Sequence, residues 1–549
     1  MSETNLVSQM SDLSFAAKAS ILNVKINFVK NLNELQLTKN DSLLLIGKSK
    51  DLKLVPQTHL SPLLTKLQIP DNWYSESINY LCPAKKSDED GNKLANGTNI
   101  SWLNRFSINV ISAKCSRYNA PSRAHLITKI VKSNCFSESQ TILVACERKY
   151  SVGCAAAVAR AFPLYSSKTS NNESKNQRNV TVSFIFTDDG CKSPNPSDDE
   201  AKCFNAIGES VRLTAKIVDT PCAEMTTDHF LQEIKIVAKE LGLEPMVIEG
   251  EELNKRGFGG LYNVGKAAVN PPKLVVLSNL KSGSKRNIAW VGKGIVYDTG
   301  GLCIKSRSNM CGMKQDCGGA AGVLGAFYAA VKLGFEDNLH AVFCLAENAV
   351  GPNAYRPDDI IKLYSGKTVE ITNTDAEGRV VLGDGVAYAR KDLNADIILD
   401  MATLTGAQGI ATGKYHAGLL TNSDKWEKTF VEKSKICADL CFPMVFSPEL
   451  HFSEFNSEVA DMKNSVSNPA NAASACAGLF IHSHIGSKYE GIWIHLDIAS
   501  PVSDGDRATG YGVTLLNCLF GDSSLNSALK QIGPESALPL KNDELDSDD

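Results

Sequence analysis

Between residues 288 and 399, short apolar runs alternate with helical stretches of small residues, and this alternation leaves few folds open. Residues 288–291 and 340–345 are apolar enough to be buried strands. Residues 367–371 place Val369 and Ile371 two apart, the period of a strand. Residues 396–399 form a further strand. Between these runs, 318–333 (GGAAGVLGAFYAAVKL) and 380–393 read as helices. Strand, helix, strand at this spacing predicts an α/β fold with a mainly parallel central sheet flanked by helices. In such sheets ligands gather at the carboxyl ends of the strands, so the chemistry is expected there.

A chain of 549 residues exceeds what one hydrophobic core spans, about 250–300 residues, and two domains are expected. The division is placed at 205/206: a small N-terminal α/β domain (1–205), a second domain (206–535) and an acidic tail (536–549) of the kind that is usually disordered. In the first domain, 141–146 reads as an apolar run, 154–162 as a helix and 180–186 as a strand. Polar segments 85–99 and 166–179 read as surface loops. Residues 206–218 look like a linker helix ending at Asp219-Thr220-Pro221. No chemistry is legible before it.

The net charge of −4 gives no footprint for nucleic acid or an anionic membrane, so neither is expected as a partner. No apolar run approaches the ~18–20 residues of a membrane helix. Residues 1–20 contain Glu3 and Asp12, no Arg and no apolar core, which argues against a secretory or mitochondrial leader. The sixteen cysteines form no C-x-x-C pair and read as reduced, mostly buried thiols, which points to the cytoplasm. The Asn-x-Ser/Thr matches at Asn96, Asn99, Asn172 and Asn179 are then incidental.

At the expected strand ends the sequence concentrates charge. The stretch after residue 291 (GKGIVYDTGGLCIKSRSNMCGMKQDCGG) carries Lys293, Asp298, Lys305 and Asp316, and its glycines allow tight folding. After residue 371, NTDAEGR carries Asp375, Glu377 and Arg379; in extended chain Asp375 and Glu377 share a face. Four carboxylates in one pocket would repel one another, and two divalent cations would neutralise them. Oxygen ligands without Cys or His suit Zn, Mn, Mg or Co, and two metals about 3.5–4 Å apart activate water and clamp a carbonyl or phosphoryl oxygen. On pattern alone the same residues could be caps, loop turns and surface ion pairs.

NTDAEGR, with VGKG-x₃-D-x-GG before it, resembles the zinc leucyl aminopeptidase, or cytosol aminopeptidase, family. The resemblance runs from about Val211 to Phe520. The wording around it (RGFGG, CLAENAVGPNA, LDMATLTGAQGIATGKYHA, PELHFSEF) is similar to the animal branch termed probable aminopeptidase-like. The N-terminal domain is only weakly similar to the better-known members. The resemblance implies a metalloaminopeptidase releasing N-terminal residues such as Leu or Met from peptides. It implies two zinc or manganese ions: Asp298, Asp375 and Glu377 on one, with Asp298 and Glu377 bridging, and Lys293 and Asp316 completing the other. A ligating Lys293 must be neutral, so its pKa would have to be depressed by the dication. Lys305 and Arg379 match the catalytic pair, with bicarbonate at Arg379 as proton acceptor helped by backbone near Leu404. Met313, Thr403, Leu404, Gly406 and Ala407, with 472–478 nearby, would line the side-chain pocket. Homohexamers are the family's assembly. Thr299 stands where Ser is usual, and Ser306-Arg307 replaces a Pro-containing turn.

Other motifs are weaker. Gly260-x₄-Gly265-Lys266-Ala267 nearly matches a phosphate-binding loop, but Ala267 stands where Ser or Thr should hold Mg²⁺. No GxSxG elbow or HExxH helix is present. His482 and His484 are expected on one strand face and His495 before Leu496-Asp497, all three as core or edge histidines.

Overall fold

The computed structural model of the chain describes residues 22–31, 41–70, 72–82, 98–103, 105–135, 137–168, 177–536 and 538–541. Residues 1–20, most of the two polar segments and most of the acidic tail lie outside these.

The N-terminal part is built on six strands: β1 (Val24–Phe28), β2 (Ser42–Lys48), β3 (Thr98–Trp102), β4 (Phe106–Ile111), β5 (Ser139–Cys146) and β6 (Arg178–Phe186). Their order is β1-β6-β5-β2-β4-β3, and all pairs are parallel except β3 with β4. Helix α1 (Ser151–Arg160) begins three residues before the expected 154. Helix α2 (Asp198–Asp219) also begins before the expected 206. Ser197 and Glu200 form a capping box there, each side chain bonded to the other's backbone N–H.

Helix α2 is a shared wall rather than a free linker. Phe204 packs on Phe28 and Phe184, with ring centroids 6.1 and 4.6 Å away. Further along, the Thr214 hydroxyl donates to the Ala321 carbonyl at 3.0 Å. One apolar cluster therefore runs continuously from the N-terminal sheet through α2 into the second sheet.

The second part contributes β7 (Met246–Glu249), β8 (Lys273–Asn279), β9 (Asn287–Asp298), β10 (Asn338–Asn348), β11 (Ile360–Lys362), β12 (Thr368–Glu370), β13 (Ile397–Ala402), β14 (Ala417–Thr421), β15 (Cys441–Pro443), β16 (Met462–Lys463) and β17 (Ile492–Asp497). Eight of these form a mainly parallel sheet in the order β15-β14-β17-β13-β9-β10-β8-β7. Helix α3 (Gly318–Lys332) packs on the face shared with α2. Helices α4 (Glu377–Lys391) and α5 (Ala473–Ile485) cover the other. The predicted α/β architecture is the one observed.

Three local expectations are corrected. Strand β9 does not end at 291; it continues to Asp298, because β10 pairs with it along that whole length. Residues 368–370 do not join the main sheet; β12 lies between β11 and β16 in a separate three-stranded sheet. His482 and His484 lie on α5, not on a strand: His484 Nδ1 bonds Ser365 Oγ at 2.7 Å, and His482 packs against Trp493.

The shared core yields a test. Phe204→Ala removes a fully buried ring and should lower unfolding stability by about 3–5 kcal/mol. Urea or guanidinium unfolding of the two proteins checks it; a loss below about 1 kcal/mol would mean the wall re-packs freely.

Candidate metal centre

The site is assembled at the carboxyl edge of the main sheet. On β9, pairing with β13 stops at Gly292. The next residue, Lys293, reaches past the end of β13, and its Nζ donates to the Thr403 carbonyl at 2.9 Å. Five positions separate Lys293 from Asp298, so regular alternation would send the two side chains to opposite faces. The register instead shifts: Ile295 faces Ala346, but Asp298 faces Asn348, so β9 carries one extra residue. Such a bulge re-aims the side chains beyond it, and Asp298 joins Lys293 on one side.

Each carboxylate arrives on a different support. Asp298 ends β9. Asp316 lies in a short 3-10 helix (Met313–Cys317) leading into α3. Asp375 sits in the turn after β12, and Glu377 is the first residue of α4, not part of an extended run. One ligand-capable oxygen from each of Asp298, Asp375 and Glu377 lies within 4.8 Å of the others. Lys293 Nζ sits 2.8 Å from Asp316 Oδ1 and 2.9 Å from Glu377 Oε1. Lys305 Nζ lies 2.8 Å from Asp298 Oδ2 and also ion-pairs with Asp375. Gly378 is required by this crowding: a Cβ there would come within 2.7 Å of Lys293 Nζ.

Burial sets the electrostatics. Lys293, Asp298, Asp316 and Glu377 are all buried. Loss of solvent, with Asp298 and Asp316 nearby, pushes the Glu377 carboxyl up to about 8 despite Lys293. Burial likewise raises Asp316 and Asp375. Burial alone would lower Lys293, but Asp316, Glu377 and Asp298 outweigh it and hold the ammonium charged. Ligation would require the opposite, a Lys293 brought down to its neutral form. Asp316 Oδ2 and Glu377 Oε2 are buried and have no hydrogen-bond partner, a costly state for carboxylate oxygens. Divalent cations would give such oxygens partners, and with Asp298, Asp375 and Glu377 clustered within 4.8 Å the residues fit a divalent ion.

Arg379 is buried on α4, and burial brings its guanidinium down to about 10. Its Nη1 donates to the Asn464 carbonyl at 3.2 Å, and it forms no ion pair among the described residues. Thr403 Oγ1 donates to Asp316 Oδ1 at 2.8 Å, so it touches the cluster directly. The Leu404 amide donates to Asp497 Oδ1 at 3.1 Å. Met313 opens the short helix that holds Asp316. Gly406 opens onto free space, with nothing within 4 Å of an added Cβ.

Sequence reading missed the supporting polar residues. Asn348 Nδ2 donates to Asp298 Oδ1 at 2.8 Å and to the Thr374 carbonyl at 3.0 Å. Thr374 Oγ1 donates to the Gly300 carbonyl and accepts from the Cys303 amide. Asp497 accepts from Thr405 Oγ1 and Ser474 Oγ. A lone Asn or Thr after an apolar run carries no signal that distinguishes these from ordinary turn residues. The near phosphate-loop has a structural role: Leu261 N donates to buried Asp384, and Lys266 bonds Asn263. His495 Nδ1 bonds Asp400 in the buried sheet.

Known proteins share this arrangement of domains. A profile described as the cytosol aminopeptidase family, catalytic domain, matches residues 212–517, and one described as M17 aminopeptidase N-terminal domain 2 matches 42–171. The chain is 53% identical over 494 residues to probable aminopeptidase NPEPL1 of Homo sapiens, covering 90% of this chain and 92% of that protein. The solved structure of Caenorhabditis elegans leucine aminopeptidase superposes with a TM-score of 0.84 at 39% identity, covering 92% of this chain and 100% of that one. Leucyl aminopeptidase of Trypanosoma brucei in complex with bestatin gives 0.78 at 34% identity, covering 94% and 97%.

Metal uptake should depend on pH. A cation taken up at Glu377 must displace the proton that burial holds there up to about 8. Uptake therefore releases protons, and affinity should strengthen from pH 6 to 8 by about tenfold per unit for each proton released. Titration of the stripped protein with Mn²⁺ across that range tests this; an affinity flat with pH would contradict it.

Proposed function

The chain belongs to the cytosol aminopeptidase family, and on that premise we propose that it releases apolar N-terminal residues, Leu or Met foremost, from peptides by a two-metal mechanism. Metal dependence and hydrolysis of peptide bonds come with family membership. The observation that carries the finer reading is the convergence of three carboxylates within 4.8 Å, beside two buried carboxylate oxygens left without partners.

Asp298, Asp375 and Glu377 would hold one ion, zinc or manganese, and Lys293 with Asp316 would complete the shell of the other, Asp298 and Glu377 being shared. Bound there, the two ions supply an acidic water and a Lewis acid for the scissile carbonyl. Lys293, paired here with Asp316 and Glu377, would ligate only as the neutral amine. Asp316 then marks where the substrate's free α-amine sits, which restricts cleavage to N-termini.

Lys305 is held by Asp298 and Asp375. Its ammonium would be the donor to the scissile carbonyl oxygen as negative charge develops there. Arg379 is too basic to accept a proton itself. Its buried guanidinium, with no carboxylate partner among the described residues, suits a small anion, and bicarbonate placed there would be the proton acceptor. The Leu404 amide is engaged by Asp497, so help from that backbone would need this bond to loosen. Met313, the Thr403 methyl group and the open space at Gly406 suit an apolar side chain. A cytoplasmic homohexamer is the setting the family resemblance implies. All sixteen cysteines are free, and no helix among the described residues is long and apolar enough to cross a membrane.

Leu-p-nitroanilide with added Mn²⁺ or Zn²⁺ is the direct assay. Lys305→Ala and Arg379→Ala should each lower kcat by about 100-fold or more with metal content near wild type. Asp375→Ala and Glu377→Ala should lose metal and activity together. Metal retained with hydrolysis intact in Glu377→Ala would sink the ligand assignment. A flat trace across aminoacyl substrates, with metal bound, would favour a scaffold.

A further inference from the structure

We infer that Asn464 is a positioning residue that holds the segment from Asn373 to Arg379 in its working shape; this rests on the two-metal reading above. Asn464 is fully buried, and among the described residues it makes no hydrogen bond to any of the five proposed ligand side chains. Both ends of its amide are used. Oδ1 accepts from the Thr372 amide at 2.9 Å and the Asn373 amide at 3.2 Å. Nδ2 donates to the Asn373 carbonyl at 2.6 Å and reaches the Ala376 carbonyl at 3.5 Å. These atoms bracket Asp375 on both sides in sequence.

The backbone of the same residue reaches the other functional arm. Its carbonyl accepts from Arg379 Nη1 at 3.2 Å, and its amide donates to the Glu370 carbonyl at 3.0 Å. Asn464 therefore connects the turn carrying Asp375 to the guanidinium of Arg379. Its own place is set by the three-stranded sheet. Strand β16 pairs with β12 through Val369–Met462 and Glu370–Lys463, which brings the next residue, Asn464, alongside the turn that leaves β12. The small sheet, absent from the expected architecture, thereby acquires a role.

Chemistry restricts what can stand there. A hydroxyl cannot reach both the amides of 372–373 and the carbonyls of 373 and 376. A carboxylate keeps the accepting side but presents an oxygen to carbonyl oxygens. Residues that orient metal ligands this way alter metal affinity or activity by about 10–100-fold when replaced.

The test uses the full-length protein with Mn²⁺ as probe. Asn464→Ala should weaken Mn²⁺ binding by about 10–100-fold in a chelator competition. At saturating Mn²⁺ it should lower kcat on Leu-p-nitroanilide at least tenfold with KM within about threefold. Asn464→Asp has the same shape, which guards against a misfolded Ala variant. Its added charge would by itself favour a cation, so a fall in kcat at full metal occupancy isolates position. Wild-type affinity and kcat in either folded variant would overturn the proposal. So would a loss confined to the melting temperature of the metal-free protein. A wild-type protein that binds Mn²⁺ but cleaves no aminoacyl substrate would refute the functional reading alone, because the affinity comparison still decides the role of Asn464.

Discussion

Buried negative charge organises this molecule. Asp298, Asp316, Asp375 and Glu377 converge at one sheet edge, three of them buried, and like charges so placed cannot all ionise without cations. Lys293 and Lys305 provide partial compensation, each bridging two carboxylates. The compensation is incomplete: Glu377 is pushed up to about 8, and two carboxylate oxygens keep no partner. The same deficit that burdens the fold makes the edge receptive to divalent ions, so the strain and the proposed chemistry have one origin.

Such a cluster persists only if the surrounding backbone is over-determined. Asn348 ties Asp298 to the turn at Thr374. Thr374 ties that turn to Gly300, whose φ of +83° suits a residue without a Cβ. Asn464 ties the same turn to Arg379, and Asp497 ties Thr405 to Ser474 at the start of α5. Every one of these supports is a buried polar residue whose hydrogen bonds lie across elements far apart in sequence. The continuous core through α2 joins the N-terminal sheet to the other face of the main sheet, so the site rests on both parts of the chain.

Much of the fold was legible because hydrophobic period reports local geometry. The helices at 318–332 and 377–391 and the strands holding 288–291, 340–345 and 397–399 lie where apolar spacing put them, within a few residues. What failed were ends and memberships. Lys293 read as loop because a charged residue interrupts an apolar run. It is strand because β10 supplies hydrogen bonds whatever the side chain. His482 and His484 are two apart, which mimics a strand face, yet they continue a helix begun at Ala473. The capping box at Ser197 and Glu200 was readable from spacing, but the apolar pattern begins further on.

The identity of the charged residues, their clustering after apolar runs and the NTDAEGR wording were determined by sequence alone, since side-chain chemistry is local information. Their convergence was not. It required an extra residue in β9 to turn Asp298 to the side of Lys293, the early end of the β13 pairing, and a three-stranded sheet to deliver Asn464. Each of these is a register between strands distant in the chain, and register is set by which backbone groups find partners across the sheet. That choice is made by the whole fold at once, so no local stretch of sequence contains it.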